Sequence, residues 1–283
     1  MPAAEIAVDE GLIERLVAAQ HPDLAGPVRI VANGWDNVIA RLGERHAVRL
    51  PRRAVAVPLI EHELRWLPEL RVPVPIPVAL RRGAPAGDYP WPWAITPWFE
   101  GRLAMEVEPA QRRGLATGLA AFHRAMHVPA PPDAPHNPYR GVPLAVRDPL
   151  VREHLAAAPE LTALWEAALA APVYTGPLVW LHGDTHPGNL LIGDDGGLAA
   201  VIDFGDICGG DPASDLGAAW LVLDATARAE YRSLLEPDDA MWERARGWAV
   251  SIAAAILATS DDNPAMRRVG EQARDELLSA PAR

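Results

Sequence analysis

Three short stretches between residues 180 and 216 concentrate the carboxylate, amide and imidazole side chains that could do chemistry. They read WLHGDTHPGN (180–189), VIDFGD (201–206) and DPASDL (211–216). Carboxylate and amide oxygens are the hard ligands that Mg²⁺ prefers, and Mg²⁺ leaves several positions to water and nucleotide phosphates. A further carboxylate can accept a proton from an attacking hydroxyl. These residue types favour phosphoryl transfer, which needs positioning, charge neutralisation and a nearby base.

Two short strands are predicted to position these side chains. The strand 178–181 precedes the loop that carries Asp184 and Asn189, and the strand 199–202 ends at Asp203. We expect the two strands to pair as a hairpin, which would bring an amide and two carboxylates to one end. Asn189 and Asp203 are then the candidate Mg²⁺ ligands, and Asp184 is the candidate catalytic base.

The first hundred residues predict a small antiparallel sheet with one main helix. Their short apolar runs are separated by turn signals such as Asn33-Gly34 and Gly43-Glu44. The predicted strands are 28–32, 38–42, 47–50 and a pair around the turn 83–89 that ends at 94–99; the predicted helices are 9–19, capped by Asp9, and 58–70.

After Gly101 the apolar periodicity becomes helical. The predicted helices are 111–127, 152–171, 215–227, 239–259 and 264–278, and a short β region at 178–181, 190–192 and 199–202 interrupts them. We therefore predict the α+β class, with residues 1–97 as a β-rich amino-terminal lobe and residues 98–283 as a mainly helical lobe.

The motifs HGD-x₄-N, IDFG and DPxxDL resemble those of the aminoglycoside phosphotransferase family, relatives of protein kinases that include macrolide and choline kinases. The amino-terminal half is similar as well. The segment Gly34–Asn37 resembles the family's nucleotide-covering turn, and Ala47–Leu50 resembles the strand that presents a phosphate-binding lysine. Glu63 stands where the family places an ion-pairing glutamate, and Trp98–Gly101 resembles the hinge that binds the base.

The resemblance implies a two-lobed protein-kinase-like fold and a role for each matched residue. Asp184 would be the catalytic base, Asn189 and Asp203 would hold Mg²⁺, and His182 and Asp215 would support the catalytic loop. The implied phosphoryl donor is ATP or GTP. The implied nucleotide-binding residues are Gly34, Asn37, Arg49, Glu63, Pro97, Trp98 and Phe99.

Arg49 departs from the family pattern, because lysine is expected at this position. The sequence contains no lysine at all, so its 26 basic residues are all arginine. A planar guanidinium is longer than an ammonium and has a different donor geometry. Either Arg49 pairs with Glu63 and still reaches the phosphates, or nucleotide binding is altered.

Composition excludes several classes of protein. The net charge of −11 argues against a general nucleic-acid binder and is compatible with a cationic ligand or with simple solubility. The longest apolar stretch, 248–258, is too short for a membrane span. Cys208 is the single cysteine, and the amino terminus lacks the pattern of a secretory signal. We therefore expect a cytoplasmic protein, and the resemblance implies a monomer.

The acceptor remains open at this stage. The first hypothesis is a kinase that phosphorylates a hydroxyl of an aminoglycoside- or macrolide-type antibiotic, with the acceptor on the helical lobe. The second is a metabolic kinase that acts on a sugar, an amino alcohol or a natural-product intermediate. The third, motivated by Arg49, is a catalytically weak nucleotide-binding scaffold.

Overall fold

The computed structural model describes residues 3–279, which form two compact units. The first unit comprises the chain up to Leu70, Pro75–Glu100 and the short segment Asp203–Gly205. The second comprises Arg71–Val74, Gly101–Ile202 and the chain from Asp206 onward. The main division along the sequence thus falls between Glu100 and Gly101. The segment that carries Asp203 belongs to the first unit although it lies more than a hundred residues later in the chain.

The first unit is built on a five-stranded antiparallel sheet with the strand order β1-β2-β3-β5-β4. The strands are β1 (Val28–Asn33), β2 (Asn37–Leu42), β3 (His46–Pro51), β4 (Arg81–Gly83) and β5 (Trp93–Pro97). Two helices accompany it, α1 (Glu10–Gln20) and α2 (Val57–Trp66). The sheet confirms the antiparallel arrangement that the sequence predicts.

Helix α1 shows why this unit folds where the sequence indicates. Asp9 Oδ1 accepts a hydrogen bond from the backbone N–H of Leu12 at 2.7 Å, which confirms the predicted cap. The apolar positions of the helix face a core that they share with β1, β2, β3 and β5. The helical residues buried there are Leu12, Ile13, Leu16 and Val17.

The second unit is mainly helical. Its helices are α3 (Leu115–Met126), α4 (Leu144–His154), α5 (Thr162–Ala170), α6 (Ala213–Leu216), α7 (Ala218–Leu221), α8 (Ala225–Leu235), α9 (Asp239–Thr259) and α10 (Pro264–Ser279). Its strands are β6 (Arg102–Leu103), β7 (Val179–Leu181), β8 (Leu190–Ile192), β9 (Leu198–Val201) and β10 (Cys208–Gly210). The predicted α+β class is confirmed.

The predicted hairpin is wrong in its pairing. Strand β9 pairs with β8, and β6 extends the same small sheet, whereas β7 pairs with β10. The physical reason is the length of the connections, because a five-residue turn joins β8 directly to β9, whereas the longer loop 182–189 separates β7 from β8.

Two predicted helices are also wrong, because the structure divides each of them. The prediction 152–171 covers the end of α4 and all of α5, which are separated at Pro159. Proline has no backbone N–H to continue a helix. The prediction 215–227 spans the end of α6, all of α7 and the start of α8, and Gly217 separates the first two. In the described part of the chain, no helix is long and apolar enough to cross a membrane.

Candidate active site

The loop that follows β7 is anchored through its backbone by a buried carboxylate. Asp215, which is 1% exposed, accepts hydrogen bonds from the N–H of His182 at 2.9 Å and of Gly183 at 2.8 Å. His127 Nε2 lies 3.3 Å from the same carboxylate. Gly183 has a φ of +86°, and a Cβ there would lie 2.5 Å from the carbonyl oxygen of Asp206. Glycine and Asp215 together therefore fix the path of the loop.

The imidazole of His182 is wholly buried beneath this loop. Its Nδ1 accepts from the N–H of Asp184 at 3.2 Å, and its Nε2 faces the carbonyl oxygen of Ile202 at 3.1 Å, where it acts as the donor. Burial alone would raise the pKa of Asp215, but the hydrogen bond from His127 and the nearby imidazoles hold it below its usual range. The anchor is therefore a carboxylate in its ionised form.

Asp184 and Asn189, the predicted base and one predicted metal ligand, contact each other in this loop. Asn189 Nδ2 donates to the backbone carbonyl of Asp184 at 2.9 Å and lies 3.5 Å from Asp184 Oδ2. Because the amide nitrogen is engaged in this way, the amide oxygen is the atom that can face a cation. The Asp184 side chain is 26% exposed, so a ligand can reach it.

The electrostatic environment keeps Asp184 ionised. Burial alone would raise its pKa, but His186 and Arg140 bring it well below the usual range of an aspartate. His186 Nε2 lies 3.4 Å from Asp184 Oδ2, and Arg140 Nη2 lies 3.0 Å from Oδ1. A carboxylate of this kind is a weak base that orients a hydroxyl well, which suits the loose transition state of phosphoryl transfer.

Two side chains that belong to none of the motifs contact this loop. Arg140 lies 44 residues before Asp184, and no pattern in its proline-rich segment indicates the contact. His123 on α3 is buried and bridges the loop to α8: its Nε2 lies 3.2 Å from Thr185 Oγ1 and its Nδ1 lies 2.6 Å from the Tyr231 hydroxyl. A polar residue on the apolar face of a predicted helix was the available signal for His123.

In the first unit, Arg49 on β3 joins two carboxylates. Its Nη1 lies 2.8 Å from Glu63 Oε1 on α2, and its Nη2 donates to Asp203 Oδ1 at 2.8 Å. Arg49 and Glu63 are each about nine-tenths buried, whereas the Asp203 side chain is 54% exposed. Asp203 has a φ of +60°, a conformation that aspartate tolerates better than most residues with a Cβ. The structure therefore contains the Arg49–Glu63 pair, which is one part of the first outcome considered for this arginine.

The remaining donors of Arg49 face Asn37 on β2. When the Asn37 amide is oriented with its oxygen toward the guanidinium, that oxygen accepts from Nη2 at 3.0 Å and from Nε at 3.3 Å. Burial alone would lower the pKa of Arg49, but the carboxylates of Glu63 and Asp203 raise that pKa above its usual value. Burial raises the pKa of Glu63 to about 7, although Arg49 opposes that shift. The guanidinium is therefore held charged and largely saturated by protein acceptors.

The turn before β2 brings Gly34 next to this cluster. The Gly34 N–H donates to the carbonyl oxygen of Asn37 at 2.9 Å, and Arg52 Nη1 donates to the Gly34 carbonyl at 2.9 Å. Trp35 at the tip of the turn is 55% exposed. The turn is thus closed by its own backbone and carries an aromatic side chain that faces solvent.

The predicted base-binding segment begins at Pro97, the last residue of β5. Pro97 pairs with His46 at the start of β3, and the N–H of Trp98 donates to the Arg45 carbonyl at 2.8 Å. The Arg41 guanidinium stacks 4.7 Å from the centroid of the Trp98 ring. Phe99 continues this segment and is partly buried.

The structure thus gathers most of the predicted residues into two groups, one in each compact unit, and leaves Pro97, Trp98 and Phe99 outside both. Asn37, Arg49, Glu63 and Asp203 form one cluster in the first unit, and Gly34 adjoins it. His182, Asp184, Asn189 and Asp215 form the other in the second unit. Pro97, Trp98 and Phe99 lie at the end of β5 that is farther from the Arg49 cluster. Pro97 pairs with His46, three residues before Arg49 on β3.

Comparison with known proteins adds a family and a set of related folds. A family model described as "Phosphotransferase enzyme family" matches residues 27–248. No curated protein matches the sequence.

Among solved structures, the GDP complex of wild-type aminoglycoside 2'-phosphotransferase-IIIa superposes with a TM-score of 0.72 at 18% identity and covers 96% of this chain and 99% of its own. The streptomycin–ATP–APH(2")-IIa ternary complex gives 0.62 at 16% identity, with 98% of each chain covered. Macrolide 2'-phosphotransferase MphH from Brachybacterium faecium gives 0.60 at 22% identity, with 96% of this chain and 99% of that chain covered. These similarities confirm the fold that the motifs imply.

Proposed function

The chain belongs to the phosphotransferase enzyme family, and we propose on that premise that it transfers the γ-phosphoryl group of a nucleoside triphosphate to a hydroxyl of an aminoglycoside- or macrolide-type antibiotic. The observation that carries this proposal is the loop after β7. There a backbone anchored by Asp215 presents an ionised, partly exposed Asp184 beside the amide of Asn189. The complexes of the structural neighbours, which hold GDP, ATP, kanamycin or streptomycin, support the choice of donor and acceptor.

The proposed reaction needs one proton acceptor. Asp184 accepts the proton of the acceptor hydroxyl as the hydroxyl oxygen bonds to the γ-phosphorus. The bond between that phosphorus and its bridging oxygen breaks, and the nucleoside diphosphate departs with the electron pair. Asp184 also orients the hydroxyl, and this positioning is the larger part of its contribution in a loose transition state.

The donor set of the chain fits Mg²⁺. Asn189 would offer an amide oxygen and Asp203 a carboxylate, and each is a hard oxygen ligand of the kind that Mg²⁺ prefers beside water and phosphate. When bound, the ion would neutralise charge on the phosphates.

Turnover with a panel of acceptors tests the proposal. Kanamycin, gentamicin, streptomycin and a macrolide are each incubated with ATP or GTP and Mg²⁺, and diphosphate release and acceptor mass are measured. We expect one acceptor to gain a phosphoryl group, and Asp184→Asn to lower kcat by about 10²–10⁴-fold, the usual cost of a lost base. Asp194→Asn, an exposed aspartate in the turn between β8 and β9, is the matched control and keeps the wild-type rate.

One observation favours a second candidate, a nucleotide-binding scaffold without significant turnover. The donors of Arg49 are shared among Glu63, Asp203 and Asn37, which leaves this guanidinium little capacity for phosphate. The same panel separates the two candidates. Equal background hydrolysis in wild type and Asp184→Asn, together with measurable nucleotide binding, would support the scaffold and exclude the kinase.

A further inference from the structure

Arg140 contacts the candidate base from a part of the chain that none of the motifs includes. It lies between α3 and α4, and its side chain is 19% exposed. Its Nη2 lies 3.0 Å from Asp184 Oδ1 and 3.1 Å from Asp206 Oδ2. One guanidinium nitrogen thus joins two carboxylates that would otherwise repel each other in a largely buried site.

The backbone beside Arg140 is held rigidly against the strands that carry the catalytic loop. Gly141 has a φ of +65°, and a Cβ there would lie 2.5 Å from Leu181 Cδ1 and 2.8 Å from the Cα of Gly210. The Gly141 carbonyl accepts from the N–H of Asp211 at 2.9 Å, and its N–H donates to Ser214 Oγ at 3.2 Å. The position from which Arg140 reaches Asp184 is therefore fixed by close packing.

Asp206 is held on its other side as well. Asn137 Nδ2, from the same segment as Arg140, donates to Asp206 Oδ1 at 2.7 Å. Asn137 Oδ1 in turn accepts from the N–H of Tyr139 at 2.8 Å, which orders the segment locally. Two residues of the segment 137–141, Asn137 and Arg140, thus contact the Asp206 carboxylate, and Arg140 also contacts Asp184.

This arrangement leaves the two oxygens of Asp184 in different environments. Oδ1 is engaged by Arg140, while Oδ2 lies 3.4 Å from His186 Nε2 and 3.5 Å from Asn189 Nδ2. The contacts to Oδ2 are longer than those of a strong charge-assisted hydrogen bond. An incoming hydroxyl can therefore replace them more readily than it can displace Arg140.

We propose that Arg140 is a positioning residue for phosphoryl transfer, which holds Asp184 through Oδ1 so that Oδ2 faces the acceptor hydroxyl. This inference rests on the proposed function, because it assigns Arg140 a role in orienting the same base. Arg140 makes no bond to the reacting atoms and acts only through Asp184.

Steady-state kinetics of Arg140→Ala and Arg140→Lys test the role. We expect Arg140→Ala to lower kcat by about 10²-fold, the typical cost of misplacing a reacting group by about an ångström, with little change in the KM for nucleotide. Arg140→Lys should recover part of the loss, and millimolar methylguanidinium should partly restore kcat of Arg140→Ala in a saturable manner. Asp206→Asn added to Arg140→Ala removes the charge of the second, partly exposed carboxylate and should also raise kcat, and it serves as a second variant if Arg140→Ala is unstable.

Arg228→Ala is the matched control. Arg228 also lies in the second unit, is 8% exposed against 19% for Arg140, and pairs with Glu276 at 2.8 Å instead of with Asp184. Its loss should cost stability and leave kcat unchanged. Unchanged kcat in Arg140→Ala, or a loss that methylguanidinium, lysine and Asp206→Asn all fail to restore, would overturn the inference.

A crystal structure of Arg140→Ala tests the same claim without turnover. The Asp184 carboxylate should rotate away from its wild-type position or occupy more than one rotamer, and an unchanged carboxylate would exclude a positioning role. If wild type phosphorylates no acceptor while Asp184 moves in the variant, the proposed function fails and the positioning contact stands. The two failures are therefore distinguishable.

Discussion

The buried imidazole of His123 predicts a specific dependence of stability on pH. This side chain is fully buried between α3, α8 and the loop that follows β7, and burial lowers its pKa from 6.5 to about 3. The folded protein therefore keeps His123 neutral, whereas the unfolded chain binds a proton as the pH falls below 6.5. Because the unfolded state binds more protons, stability from this group is complete above pH 6.5 and is lost as the pH falls toward 3.

The magnitude follows from one proton over this window. A full proton difference changes the free energy of unfolding by about 1.4 kcal/mol per pH unit, so His123 contributes a loss of about 2 kcal/mol between pH 6.5 and pH 4.5. His123→Asn removes the titration and still offers a polar group to Tyr231. We therefore expect the stability of His123→Asn to depend less steeply on pH than that of wild type, so that the difference between the two changes as the pH falls below 6.5.

Urea denaturation at several pH values between 4.5 and 7 measures this effect. As the pH falls, the free energy of unfolding of wild type should decrease more steeply than that of His123→Asn. The two slopes should differ by about 1.4 kcal/mol per pH unit, which corresponds to one bound proton. His136→Asn, at an exposed histidine, is the control and should keep the wild-type slope. Parallel curves for wild type and His123→Asn would refute the conclusion that the buried imidazole stays neutral.

Three further substitutions test the anchors of the two units. Asp215→Asn leaves at least one buried backbone N–H of the loop after β7 without an acceptor, so the free energy of unfolding should fall by about 1–3 kcal/mol in chemical denaturation. Turnover should be lost as well, and wild-type activity in this variant would contradict the bracing role. Gly141→Ala meets Leu181 at a positive φ and should lower Tm by several degrees in calorimetry, and an unchanged Tm would show that the segment relaxes. Arg49→Lys loses the forked contacts to its two carboxylates and should cost about 1–3 kcal/mol, whereas Arg29→Lys at an exposed site on β1 should cost nothing measurable.

The sequence predicts best those features that depend on neighbours in the chain. The cap of α1 and the bounds of α9 follow from local hydrogen bonding and from a sustained apolar period. Asp184 and Asn189 lie five residues apart in one tight loop, so their contact is set by local geometry. Because both residues lie within one short motif, the sequence alone was enough to predict that they come together.

Features that depend on distant neighbours were missed. The pairing of β7 with β10 joins segments more than twenty residues apart, and periodicity contains no information about which strand lies next to which. Arg140 reaches Asp184 from a proline-rich segment whose path is set by packing at Gly141. Pro159 was a local signal that should have divided the predicted helix 152–171.

The arginine at position 49 also determines which chemical reagents can report on this protein. Nucleotide probes that carry an acylating group label kinases through a nucleophilic amine beside the phosphates. A guanidinium that stays protonated is not a nucleophile, and Arg49 is further held between two carboxylates. Since no lysine occurs anywhere in the chain, such probes have no side-chain amine to acylate. Profiling by amine-directed nucleotide reagents would therefore overlook this enzyme even when it is abundant and active.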